Sequence, residues 1–375
     1  MTNPISETAK TAVKAPFKAD HVGSLLRPES IHQARKDFKE GVITAEQLRE
    51  IETTEIKRIV DKQIEVGLKA VTDGEFRRTF WHTDFMAGIN GFEGYTPEHG
   101  YKFKHVETEA YDVRNVGKVS FNENHPFIQD FIEFKEIVGD RAIPKLTIPS
   151  PNQFFNQGIR DESIYPDIED YAKDVIQAYR DAFKTFYDLG ARYIQIDDVY
   201  IAGLSAPGIP FNDGKYNREF LIDLALRVAN GVLEDKPEDL AVTTHLCRGN
   251  YQSDWAFEGS YALIAPTLFA KEKVDGFFLE YDDDRSGSFQ PLEHIPAGGP
   301  RVVLGVFTSK NGELEDKEVI KARVAEAAQY VPLEQLCISP QCGFASTHHG
   351  NKLTEDQQWE KLRYIVEVSE EIFGE

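Results

Sequence analysis

Cysteine is scarce in this chain, with three among 375 residues. So sparse and odd a count excludes a disulfide framework as the source of stability and points to a reducing compartment, the cytoplasm. Long apolar runs are missing as well, so no segment approaches the roughly eighteen consecutive apolar residues that a membrane span needs. The first sixteen residues, MTNPISETAKTAVKAP, lack the apolar centre of a secretory signal and read as a disordered tail. Positive charge is also short: 42 Lys and Arg stand against 63 Asp and Glu, a formal net charge of −21. That excess argues against nucleic acid and anionic membrane surfaces as partners. No internal repeat, low-complexity tract or Gly/Ser linker divides the rest, and residues 17–375 read as a single domain.

What is present is a rhythm. Short apolar runs alternate with stretches of helical periodicity, the pattern of a parallel sheet wrapped by helices. The runs at 18–23, 68–73, 142–148, 192–197, 240–245, 275–280, 302–307 and 335–339 predict eight strands. Amphipathic stretches at 44–66, 167–189, 215–233, 316–330 and 354–372 predict helices between and after them. Eight strands in this order predict an α/β fold of the (β/α)8 TIM-barrel type, which typically needs roughly 250 residues. The surplus has a place. Residues 84–125 alternate polar with apolar or aromatic side chains, as in YKFKHVETEAYDV, and predict a β-hairpin inserted after the second strand. The alternative, a doubly wound open sheet, expects a glycine-rich phosphate turn after the first strand, and HVGSLLRP is not one.

Barrel enzymes carry their chemistry at the C-terminal ends of the strands. The polar residues falling there are Ser24, Asp73, Glu75, Asp197, Asp198, His245, Cys247, Glu280 and Cys342. One imidazole, two thiols and one carboxylate among them, His245, Cys247, Glu280 and Cys342, make a plausible zinc set. The His-x-Cys spacing is unspecific by itself, because a buried Cys is usually a small hydrophobe, as Cys337 inside the eighth strand is expected to be. His348 and His349 are competing ligands that could replace Glu280, although supporting or surface roles suit them better. Two thiolates and a carboxylate leave Zn²⁺ with a net charge of about −1, a poor generator of hydroxide. Such an ion still deprotonates an incoming thiol. A free thiol, with pKa about 8.5, is largely protonated near pH 7, so the set favours alkyl transfer to sulfur.

Six ordered segments carry a family likeness. HVGSLLRP, TDGEFRR, IQIDD, HLCRGN, FFLEYDDDRSG and SPQCGF resemble the catalytic C-terminal barrel of the cobalamin-independent methionine synthases, over most of the chain. The resemblance implies a zinc-dependent methyltransferase that moves a methyl group to the zinc-bound thiolate of homocysteine, forming methionine. His245, Cys247, Glu280 and Cys342 would hold zinc. Glu75 and Asp197 would be the catalytic carboxylates that grip the substrate ammonium, and Gly23 with Ser24 would hold its carboxylate. Partly dry carboxylates suit an ammonium by charge-assisted hydrogen bonding. The family's full-length chains have two barrels, whereas one is expected here. The third-strand segment KLTIPSPNQFF has no Trp, which leaves Phe154 or Phe155 to stack on a donor ring, and GVFTSKNGE after strand seven offers no His as a general acid. The methyl donor is therefore open among 5-methyltetrahydrofolate, a related small molecule and a corrinoid partner protein. Homo-oligomerisation is equally open.

Three other readings compete. An epoxide–coenzyme M type of thiol alkyltransferase needs cations for a sulfonate, where Glu75 and Asp197 stand. A noncatalytic zinc- or amino-acid-binding protein seldom needs an open metal position beside an amino-acid site. A metal-dependent amidohydrolase expects several His ligands that the strand ends do not supply.

Overall fold

The computed structural model describes residues 14–206 and 214–374. Its strands are β1 (Ala70–Val71), β2 (Asn90–Tyr95), β3 (Asp112–Ser120), β4 (Ile143–Pro149), β5 (Tyr193–Asp198), β6 (Ala241–Leu246), β7 (Gly276–Glu280), β8 (Arg301–Phe307) and β9 (Leu336–Pro340). Seven form one parallel sheet in the order β1-β4-β5-β6-β7-β8-β9. Every residue of β5, β6, β7 and β9 is buried, as expected of parallel strands covered on both faces. Helices follow the predicted spans closely. Thr44 and Thr354 open the helices Ala45–Glu65 and Glu355–Phe373 with reciprocal capping boxes to Gln47 and Gln357. Asp167, Asn217 and Asp316 cap the helices Ile168–Asp188, Arg218–Leu233 and Lys317–Ala327 through their side chains.

The predicted closed eight-stranded barrel needs correction. The sheet is curled but not closed, and residues 18–23 contribute a single parallel bridge, Ala19 to Ile338 on β9. The reason lies in where that segment's carbonyls go. His21 O accepts from Lys145 Nζ at 2.5 Å, Val22 O from Gln195 Nε2 at 2.6 Å, and Gly23 O from Thr72 Oγ1 at 2.6 Å. Side chains thus occupy the acceptors that a closing ladder would use. Gly23 then turns the chain at φ 138°, a conformation open mainly to glycine. The segment still fills the gap between the sheet edges, for Leu25 N donates to Gly74 O just beyond β1. Beneath it Lys145 and Asp20 form a fully buried ion pair at 3.1 Å, with Tyr193 Oη donating to Asp20 at 2.9 Å. Of the predicted tail, residues 1–13 lie outside the described residues, while Ala15 is buried against Ala70, Tyr193 and Ala241.

The inserted hairpin is present. β2 and β3 pair antiparallel with a register shift between Asn90 and Phe92, and Phe92 meets Phe154 edge-on at 4.8 Å. Beyond β3 comes a helix the sequence pattern did not single out, Pro126–Val138, capped by His125. His125 Nδ1 accepts from Phe127 N at 3.2 Å, which makes Nε2–H the donor to Phe85 O at 2.9 Å. Its ring packs among Phe85, Phe121 and Phe127. The imidazole therefore staples the two ends of the insertion to each other.

Burial pushes the His125 pKa down to about 4. Its ordinary value is about 6.5, so the unfolded chain takes up the proton first as pH falls, and the stability His125 provides is complete above pH 6.5 and lost toward pH 4. Thermal unfolding followed between pH 7 and 4 should show Tm falling. His125→Asn, which keeps a capping side chain, should lower Tm at neutral pH and flatten that fall; an unchanged slope would refute this role.

Candidate active site

The parallel register brings the strand ends to one level. Asp197 on β5 pairs with His245 on β6, His245 with Phe278 on β7, and Glu280 with Gly305 on β8. Cys247 follows directly on β6, where its N–H donates to Asp198 O at 3.0 Å. Cys342 lies two residues past β9 on a loop that passes close to β8. A Cβ on Gly305 would lie 2.6 Å from Gln341 Cα, so only glycine there lets the Cys342 backbone approach.

The ligand atoms of His245, Cys247, Glu280 and Cys342 all lie within 4.8 Å of one another, and all four residues are buried. The two sulfurs are 3.5 Å apart, too far for a disulfide bond of about 2.05 Å and suited to two ligands of one cation. His245 directs Nδ1 toward Phe278 O at 3.3 Å. Its Nε2 is buried, meets no oxygen or nitrogen partner, and lies against the Cys342 sulfur. A backbone carbonyl on one ring nitrogen and an open second nitrogen is the usual arrangement of a metal-binding histidine. Glu280 accepts from Arg248 N at 2.6 Å. The four residues fit a thiophilic divalent cation.

The charges say the same. Burial alone would lower the His245 pKa, but its contact with the Cys342 thiolate and the carboxylates Asp197 and Glu280 lifts it to about 9. Hydrogen bonding from Cys247 outweighs burial and, helped by His245, holds the Cys342 thiol well below its usual range, while the same contact and burial push Cys247 up. Burial and the Cys342 charge raise Glu280 to about 7. Without a cation, an imidazolium and a shared thiol proton supply the positive charge that the thiolate demands.

This cluster opens onto a cavity of about 320 Å³. Cys247, Cys342 and His245 line it together with Ser24, Glu75 and Asp197, so the predicted substrate carboxylates face the predicted metal ligands. Glu280 and Gly23 are not part of the wall. Glu280 stands behind the thiols, and Gly23 lies beside Thr147, whose Cγ2 would be 2.6 Å from a Cβ at that position. Glu75 holds an unusual backbone for a non-glycine, φ 61°, fixed by Asp73 Oδ1 accepting from its N–H at 2.9 Å. Its Oε1 accepts from Thr147 Oγ1 at 2.9 Å and faces Arg78 at 3.3 Å, while Oε2 is buried with no partner. Burial raises its pKa against the pull of Arg78 and Arg27. Asp197 accepts from Gln195 Nε2 at 2.7 Å, and burial, with nearby Glu75, raises it to about 7. Ser24 is tied to the Cys342 loop, its carbonyl accepting from Phe344 N at 2.9 Å. Asp198 caps the following turn at Ile201 N, 2.8 Å.

Several expectations change. Phe154 and Phe155 do not line the cavity; both are core residues, packed on Phe92, Tyr179 and Tyr171. The aromatic wall comes instead from Trp81, His82, Tyr101 and Phe103, the last two supplied by the insertion. The FWH run at 80–82 was the available signal. His348 and His349 stand outside the four-residue group, beside Glu109. Arg77 pairs with Glu52 and Glu133, and Arg285 with Asp282 and Asp283. Arg78, by contrast, faces the predicted site carboxylate Glu75 at 3.3 Å.

The cavity at the strand ends thus sets two thiols and an imidazole beside two buried carboxylates. Residues 156–371 match the model for the catalytic domain of the cobalamin-independent synthases. The chain is 46% identical to the uncharacterized protein YxjH of Bacillus subtilis, over 99% of both chains. It is 24% identical to a methionine synthase of Sulfolobus acidocaldarius, over 86% of this chain and 84% of that one. The crystal structure of a putative vitamin-B12 independent methionine synthase from Listeria monocytogenes superposes with a TM-score of 0.80 at 42% identity, covering 96% of this chain and 99% of that chain. The chain belongs to the cobalamin-independent methionine synthase family and is a methyltransferase-like enzyme of it.

The placement of the three thiols has a measurable consequence. In metal-free protein at neutral pH, iodoacetamide should alkylate Cys247 and Cys342, which line the cavity, before Cys337, which is buried away from it, as mapped by mass spectrometry of digests. Labelling of Cys337 first would contradict this arrangement.

Proposed function

We propose that this enzyme methylates homocysteine to methionine with the help of a zinc ion held by His245, Cys247, Glu280 and Cys342. The observation that carries the reading is the convergence of these four residues within 4.8 Å beside a cavity that also presents Glu75, Asp197 and Ser24. Zinc in that set supplies one thing, a lowered pKa for a thiol that joins it, so that the sulfur is nucleophilic at neutral pH. The protein's own residues do the rest. Phe278 O fixes the His245 tautomer and Arg248 N fixes Glu280, so the ligands are aimed before any ion arrives. Glu75 and Asp197 receive the substrate ammonium, which relieves two carboxylates whose raised pKa values mark unmet negative charge. Arg78 and Thr147 hold Glu75 in place. Ser24, next to Gly23, receives the substrate carboxylate.

With the amino-acid end fixed, the side chain sulfur points to the thiols and the methyl donor enters from the wall of Trp81, Tyr101 and Phe103. A flat ring such as that of 5-methyltetrahydrofolate suits those aromatic faces. The cavity also favours homocysteine over coenzyme M, since a sulfonate placed against Glu75 and Asp197 would meet like charge.

Purified protein should contain about one tightly held zinc at these residues, lost in both Cys247→Ser and Cys342→Ser; unchanged zinc in both variants would refute the ligand set. Glu75→Gln should retain zinc while raising the KM for homocysteine about tenfold or more, the scale of losing a buried charge-assisted contact. An unaltered KM would remove Glu75 from the substrate site. Assay with methyl-folates carrying one or three glutamates, and with a methylated corrinoid protein, identifies the donor.

A further inference from the structure

A second set of ligating side chains stands outside the zinc site and is not used by the reaction proposed above. Glu109 belongs to the insertion, and His348 and His349 to the loop that continues from Cys342. One ligand atom from each lies within 4.8 Å of the others. His349 Nε2 and Glu109 Oε1 are 3.8 Å apart, longer than a hydrogen bond. Two ligands each about 2.0–2.2 Å from one zinc-class ion sit roughly 3.3–3.6 Å from each other, a few tenths of an ångström from the spacing found. The His349 ring is oriented independently of Glu109. His349 Nδ1 faces Tyr251 Oη and Thr347 Oγ1, each at 3.4 Å, which leaves Nε2 toward the carboxylate. His348 is held by its backbone N–H donating to Thr79 O at 3.0 Å, and its Nδ1 is buried with no hydrogen-bond partner. The two imidazoles lie 3.9 Å apart, tilted by 34°.

We propose that Glu109, His348 and His349 form a second divalent-cation site, of the zinc class, that clasps the insertion to the loop carrying Cys342. Two imidazoles and a carboxylate are a borderline ligand set that takes zinc or cobalt in preference to magnesium or calcium. Three protein ligands leave a position for water. The site's position gives it a task. Glu109 follows the turn bridged between Lys102 and Glu107, whose strand side presents Tyr101 and Phe103 to the cavity. The histidines follow the stretch in which Thr347 bridges Phe80 and Ser346 O accepts from Trp81 N at 3.1 Å. A cation here ties the two halves of the aromatic wall together, and it does so whether or not the cavity binds homocysteine.

The test is a metal count on the full-length protein. After equilibration with micromolar zinc and again with cobalt, the wild-type chain should hold about two ions. His349→Ala and Glu109→Gln should each lose one while keeping the ion held by the cysteines. Cys247→Ser with Cys342→Ser should lose the other and keep this one. Amide exchange over residues 101–109 should slow when the second ion binds to wild type and stay fast in His349→Ala. A wild-type chain that saturates with one ion, or surface variants that retain two, would overturn the site. A second ion that leaves exchange over 101–109 unchanged would overturn the clasp.

Discussion

The structure depends on one electrostatic constraint: too much buried negative charge at a single rim. Glu75, Asp197, Glu280 and the thiols of Cys247 and Cys342 are each at most 7% exposed, around the mouth of one sheet. Carboxylates in such surroundings normally become neutral or find a cation. Here Glu280 and Asp197 are pushed up to about 7, and the burden is partly met by an imidazolium on His245. On the reading proposed above, a divalent cation among the thiols and an ammonium at Glu75 and Asp197 would remove the same imbalance from opposite sides. The acidity of the site would then be directional. It would favour a zwitterionic amino acid lying with its thiol toward the cysteines, and it would oppose anions in the same slot.

Rigid elements and loops divide the work. The side proposed for the acceptor is built on strand ends, where parallel register sets the relative height of Asp197, His245 and Glu280. The side proposed for the donor is built on the insertion and on the loop at 80–82, whose rings pack on one another, as Trp81 and His82 do at 4.4 Å. Backbone strain is spent where it aims a functional group. Glu75 sits at positive φ because Asp73 holds its N–H, and the result is a carboxylate turned into the cavity instead of along β1.

The parts legible in the sequence were those that follow from periodicity and strand ends. Apolar runs ending in Asp197, His245 and Glu280 had to deliver those residues to one rim once the strands were parallel. Closure was illegible because the competition is between side chains and backbone. Nothing in KADHVG announces that Lys145, Gln195 and Thr72, from three other strands' neighbourhoods, will take the carbonyls of residues 21–23. The aromatic wall was illegible for a related reason. Phe154 and Phe155 occupy the position where a stacking ring was expected, yet the insertion offers Phe92 as a packing partner and draws Phe154 into the core. A segment that is distant in sequence thus decides which aromatic residues meet the ligand.

Arg248 carries the argument one step further. It is completely buried, pairs with no carboxylate among the described residues, and lies 4.4 Å over the Tyr261 ring. An unpaired charge in such a place is expensive, and a cation–π contact of about 2 kcal/mol offsets only part of the cost. Its neighbours explain its retention. The Arg248 N–H donates to Glu280, and Tyr261 Oη accepts from Glu280 N at 3.0 Å, so the stacked pair brackets one ligand. Lys310 and His245 are the positive charges that make Glu280 easier to ionise, against the burial and the Cys342 charge that lift it to about 7. Arg248 reaches Glu280 through its backbone amide, and no guanidinium hydrogen bond competes for the carboxylate oxygens. The buried arginine thus acts on Glu280 through packing and one backbone amide, which on the proposed reading leaves the carboxylate available to an ion.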